Sequence, residues 1–169
     1  MLKIINNLEP FFKDCYVRIN VRQYARIIKV SPPTASKILS DLNEENLLLM
    51  EHDRNYIFFH ANKESKGFID LSRIFWSHAM KDLVDFLDKT LANATIILFG
   101  SLSKGEAKVD SDVDIAIISH KRELDLTQFE KKIRRKIQLF WFDSIQDIEN
   151  KELANNIVNG YVLRGRLKI

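Results

Sequence analysis

Apolar residues recur at helical spacing from the start of the chain: Leu2, Ile5, Leu8 and Phe12 fall three and four apart, on one face. Val21, Tyr24, Ala25, Ile28 and Val30 repeat the pattern over a shorter second helix. A third begins at Ser31-Pro32-Pro33-Thr34, where the Ser31 hydroxyl can cap free amides and Pro32 gives up no hydrogen bond at the first helical position. Its buried face is Ile38, Leu39, Leu42 and Leu47. The pattern then becomes strand-like in Leu47–Met50 and Tyr56–Phe59, around the polar turn Glu51-His52-Asp53-Arg54-Asn55. A polar stretch, 60–67, separates this half from a different one. Phe68, Leu71, Phe75, Ala79, Leu83 and Phe86 predict one long helix over 68–91, followed by a buried strand at Thr95–Phe99 and an apolar one at Ile115–Ile118. The expected organisation is therefore a domain at 1–63, a connecting helix at 64–91 and a second domain at 92–169.

Composition narrows the classes. With 169 residues, 46% of them hydrophobic, the chain can bury one or two small cores. The single cysteine, Cys15, excludes an internal disulfide framework, and His52, His60, His78 and His120 lack ligand spacing. No apolar run approaches a membrane span, and the first residues lack a signal peptide's layout, so a soluble, cytoplasmic protein is expected. The net charge of +3 says little about nucleic acid, but from Lys13 to Ser40 six basic residues (Lys13, Arg18, Arg22, Arg26, Lys29, Lys37) stand against Asp14 alone. Phosphate contact requires such a stripe, and a solvated helix face produces one too.

The first half resembles a winged helix-turn-helix domain over about residues 15–60, on Val21–Ala25, Val30–Leu39, Leu42 and Leu47. The resemblance implies duplex DNA as partner. Pro33, Thr34, Ser36, Lys37 and Ser40 would face it from the third helix, with Arg54 and Asn55 on the wing. Asn46 stands where such domains often carry glycine, and asparagine tolerates the same left-handed backbone. Winged helices also serve as protein-interaction modules.

In the second half, Gly100-Ser101 is followed by ten residues and then Asp112-Val113-Asp114. A glycine at a strand's end lets amides approach an anion, and the adjacent serine adds a hydroxyl. Residues two apart in a strand share a face, so Asp112 and Asp114 project together and can hold Mg²⁺ or Mn²⁺ against a triphosphate. The string Phe99–Gly105 with Ser111–Asp114 resembles the DNA polymerase beta nucleotidyltransferase superfamily, nearest to its minimal prokaryotic members; the likeness runs over about 92–166, including the helix and short strand of 157–165. The fold class expected is α+β: a winged helix-turn-helix, then a small mixed β-sheet flanked by helices.

The resemblance implies that Gly100 and Ser101 bind nucleotide and that Asp112 and Asp114 bind metal and are catalytic. Active members place a third carboxylate on a later strand. Here that strand reads Lys136–Phe142, and the matching position is Gln138, neutral and no base. Strand alternation aims Asp143 at the opposite face, while Glu123 or Asp125 from the preceding loop could compensate. The readings left open are nucleotidyl transfer from an NTP to a hydroxyl acceptor on protein or nucleic acid, a nucleotide-sensing transcriptional regulator without chemistry, and the antitoxin partner of a toxin. Lys131, Lys132, Arg134, Arg135 and Lys136 form a basic run on the helix before the Gln138 strand, either solvated or in contact with nucleic acid or triphosphate. Phe140, Trp141 and Phe142 read as core or as a homodimer contact.

Overall fold

The computed structural model describes residues 2–167. The chain divides into two compact units, one holding the residues up to Phe75 with Gly105–Val109, the other Trp76–Lys104 with the chain from Asp110 onward.

In the first unit the order is α1 (Lys3–Lys13), β1 (Ile19–Asn20), α2 (Val21–Ile28), α3 (Pro32–Glu44), β2 (Leu48–Asp53) and β3 (Tyr56–Ala61). The strands form an antiparallel sheet of order β1-β3-β2. α1 buries Ile5, Leu8, Phe11 and Phe12 and runs through Pro10 without ending there. Tyr24 is buried against it and donates its hydroxyl to the Asn7 carbonyl at 2.7 Å; burial pushes the phenol well above its usual pKa. α2 stops at Ile28, two residues short of the expected Val30, because Lys29 takes a left-handed φ of 56°. Ser31 caps α3 as expected, its Oγ accepting from the Thr34 amide at 3.4 Å. In the core, Ala35 takes the place expected of Ile38, which is only half-buried. Asn46 has φ 58° and is held by the buried Asn62, whose Nδ2 donates to its carbonyl and side chain at 3.0 Å. The hairpin strands are longer than the hydrophobic runs, leaving only Arg54-Asn55 as the turn. Strand pairing recruits the polar Glu51, His52 and Asp53 opposite Phe58, Ile57 and Tyr56.

The expected continuous helix over 68–91 is two, α4 (Lys66–Ala79) and α5 (Lys81–Thr90), parted at the buried Met80. No glycine or proline marks the break, and the apolar spacing continues across one non-helical residue, so periodicity misses it.

The second unit carries β4 (Thr95–Phe99), α6 (Gly100–Lys104), β5 (Val113–Ile118), α7 (Thr127–Ile133), β6 (Ile137–Phe142), α8 (Lys151–Val158) and β7 (Tyr161–Arg164). The sheet order is β6-β5-β4-β7; β4 is antiparallel to both neighbours, and β6 lies parallel to β5 at an edge. Every residue of β4 is buried, as its unbroken apolar run predicts. α8 brings Ile157, Leu153 and Ala154 onto Ile97, Phe99 and Ala116, with Phe140 edge-on to Phe99 at 5.1 Å. Phe140 and Phe142 are thus partly core, as one of the two readings had it. α5 joins the same unit through Phe86 on Phe129, at 5.1 Å, and through Arg164 on Asp88, at 2.9 Å.

Candidate active site

Three strand ends meet at one end of the second sheet. β4 finishes at Phe99, which pairs with Asp114 on β5, and Asp114 pairs in turn with Gln138 on β6. Gly100 makes the turn into α6 with φ 70°, and a Cβ there would run into the Asp114 carboxylate. Only glycine lets the strand end and the acid come this close. The turn is tied by Ser103 Oγ, which donates to the Gly100 carbonyl at 3.0 Å, while Ser101 stands half-exposed on its first turn. Gly105, directly after α6, takes φ 70°.

Asp112 differs from expectation: it lies just before β5 rather than in it. Strand alternation therefore does not place it. Two contacts do. Gln138 Nε2 donates to Asp112 Oδ2 at 2.5 Å, and Arg135 Nη1 donates to the carbonyl of the preceding Ser111 at 2.5 Å. The Arg135 guanidinium lies 4.9 Å over the buried Trp76 ring. The two carboxylates remain close enough to act on each other. Burial first, and then the charge of Asp112, raise the pKa of the half-buried Asp114.

The expected vacancy for a third acid is occupied by Gln138, in register with Asp114. Among the described residues no group of three or more His, Cys, Asp or Glu side chains is placed to hold a metal ion. The candidates for compensation lie elsewhere. Asp125 accepts the Thr127 amide at 2.9 Å, and that residue's hydroxyl and amide hold its carboxyl below the usual range. Asp143 follows β6 and is 2.8 Å from His120 Nδ1. Glu123 is exposed in the loop before α7.

The basic run is only partly helical, for α7 ends at Ile133 and Arg134 takes φ 59°. Lys132 pairs with Asp82, and Lys136 lies 3.3 Å from Glu130. Glu130 also accepts the Ile137 amide, chiefly for which its carboxyl lies below its ordinary value. Sequence reasoning missed the role of Arg135, since nothing in a run of five cations separates the one that turns inward.

In the first unit Pro33, Thr34, Ser36, Lys37 and Ser40 are exposed along α3, and Arg54 and Asn55 are exposed at the hairpin turn. The basic stripe is thinner than its count. Lys13 pairs with Glu9 at 2.5 Å, and Arg18 with Glu51 at 3.0 Å. Among the described residues no helix is long and apolar enough to cross a membrane. Cys15 is buried, as its small apolar character suggests.

The second unit thus sets a glycine turn and two acids at one end of a four-stranded mixed sheet. Residues 80–162 match the family model of the nucleotidyltransferase domain, and that span is such a domain. The matched span opens at Met80, so α5 belongs with it. No curated protein matches the chain.

Proposed function

We propose that the second unit is a slow, single-cation nucleotidyltransferase. It takes a nucleoside triphosphate on Gly100 and Ser101 and holds one Mg²⁺ or Mn²⁺ on Asp112 and Asp114. The observation that carries this reading is the hydrogen bond from Gln138 to Asp112 in the place of a third acid. Two hard carboxylate oxygens suit one such cation, whose remaining positions go to phosphate and water. Glycine at position 100, where a Cβ would fill the space before Asp114, leaves the approach open. When bound, the cation neutralises triphosphate charge. The donor set does not fit a two-cation clamp.

Transfer requires an acceptor hydroxyl oxygen to bond the α-phosphorus as the bond to the bridging oxygen breaks. Pyrophosphate leaves with that electron pair, and the hydroxyl proton passes to a base. Gln138 orients Asp112 but cannot take the proton. Chemistry is therefore slow while binding is intact. Asp112→Asn with Asp114→Asn should weaken Mn²⁺-dependent ATP binding at least ~100-fold by calorimetry, about 2.7 kcal/mol. Equal affinity in the double variant removes this reading.

A second reading concerns the first unit. We infer that it is a winged helix that binds duplex DNA through α3 and the hairpin turn. Arg22, Arg26, Lys29 and Lys37 form no ion pair with a described residue, which leaves four cations for phosphate. Lys37→Glu should weaken duplex binding and flatten the slope of log affinity against log salt by about 0.9, one phosphate contact. A wild-type chain without salt-sensitive duplex binding would make this unit a protein-interaction module.

A further inference from the structure

We propose that the turn between α7 and β6 holds the phosphodiester backbone of a single nucleic-acid strand beside the carboxylate pair, so that the hydroxyl acceptor is itself a nucleic acid. The inference rests on the reading of Asp112 and Asp114 as the reaction centre.

Residues 127–136 carry five cations and one acid. They line an open groove of about 370 Å³ bounded by Thr127, Glu130, Lys131, Arg134, Arg135 and Lys136. Their charges are unequally committed. Lys132 is spent on Asp82, Arg135 on the Ser111 carbonyl and Trp76, and the one acid, Glu130, on the Ile137 amide and Lys136. The side chains of Lys131 and Arg134 are exposed and make no hydrogen bond or ion pair with a described residue; Lys131 feels the charge of Asp125 without touching it.

Arg134 carries the stronger argument. Its φ of 59° is a left-handed position that glycine occupies freely and a long side chain occupies under strain. The cap itself needs no side chain, because the Arg134 amide donates to the Glu130 carbonyl at 2.7 Å. The Arg134 side chain is thus not needed for the cap and is exposed at the turn. That turn borders the site: the Lys136 carbonyl accepts the Val113 amide at 2.8 Å, and two residues further on Gln138 faces Asp114.

Strand order separates this groove from the triphosphate. Gly100 and Ser101 follow β4, two strand spacings from β6, or roughly 10 Å. Phosphate held on the β4 side leaves the β6 side to the second substrate. A basic groove with two uncommitted cations, Lys131 and Arg134, fits the backbone of a single strand.

The test uses the full chain with Lys131→Gln and Arg134→Gly combined, and a fluorescein-labelled uridine oligonucleotide as probe. Affinity by anisotropy should fall about tenfold. The slope of log affinity against log salt should flatten by about 1.4, two contacts at about 0.7 each. Glycine at 134 relieves the backbone, so the single Arg134→Gly variant should melt no lower than wild type, and MgATP affinity should not change. A purely structural role predicts the same melting with oligonucleotide binding untouched, and that result overturns the proposal. A parallel fall in MgATP affinity overturns it too, since the groove would then serve the triphosphate; so does a loss confined to duplex DNA. Wild-type chain that fails to bind MgATP while the oligonucleotide losses stand would sink the proposed function and leave the groove assigned.

Discussion

The sheet of the second unit has two ends that differ in how their charges are matched. At one, Phe99, Asp114 and Gln138 lie side by side in register, and two carboxylates stand close together with the Gln138 amide on Asp112. At the other, Thr95 Oγ1 donates to the Arg166 carbonyl at 2.9 Å, Arg164 sits on Asp88 at 2.9 Å, and His120 sits on Asp143 at 2.8 Å. A cavity of about 830 Å³ lies at this second end, lined by Thr95, Ile118, Asp143 and Arg164 among others. An exposed ion pair such as Arg164 with Asp88 is complete in itself. Two carboxylates held close raise each other's affinity for a proton or a cation, which marks the first end as the candidate site.

The sharpest way to break this comparison is at Gln138. Gln138→Asp supplies a hard ligand and a base beside Asp112, and positioned base catalysis is typically worth ~10²–10⁴-fold. Label transfer from α-labelled NTP to an acceptor should rise by that order. Wild-type transfer already fast, and unchanged by the substitution, would mean that another group takes the proton. The same variant packs three acids together, so its apo form should melt below wild type and recover with Mn²⁺.

Gly100→Ala is next in size. Its φ of 70° and the Asp114 carboxylate in the path of a Cβ predict a cost of about 1–3 kcal/mol, read as a lower denaturant midpoint with weaker nucleotide binding. A neutral result would show that the turn is not held against Asp114.

The smallest effect is a pH dependence. The carboxyl of Asp114 has a raised pKa in the folded chain, by burial and then by Asp112, so the folded state binds its proton more tightly than the unfolded state does. Its contribution favours the apo fold at low pH and is lost as pH rises from the unfolded value through the raised one. Cation-dependent nucleotide binding runs the other way and strengthens over the same interval. Asp114→Asn should flatten the melting-temperature slope there, and an unchanged slope would place the titration on another group.

Local chemistry was enough for much of this molecule. The Ser31 cap, the left-handed Asn46, the buried run of β4, the glycine turns at 100 and 105, and the spacing of Gly100-Ser101 to Asp112-Asp114 all follow from neighbours along the chain, because the forces involved act over a few residues. Tertiary structure decided the rest. Whether 68–91 is one helix or two depends on a bend at Met80 that leaves no mark in the apolar spacing. Asp112 lies outside its strand and is held by Gln138 and, through Ser111, by Arg135, residues more than twenty positions away. The register that sets Gln138 against Asp114 comes from parallel pairing of an edge strand, which a sequence leaves open because hydrogen-bonded neighbours in a sheet need not be neighbours in the chain. The sequence alone therefore carried the glycine and the two acids of the candidate site, and the pairing of β6 beside β5 determined that an amide, Gln138, lies in register with Asp114.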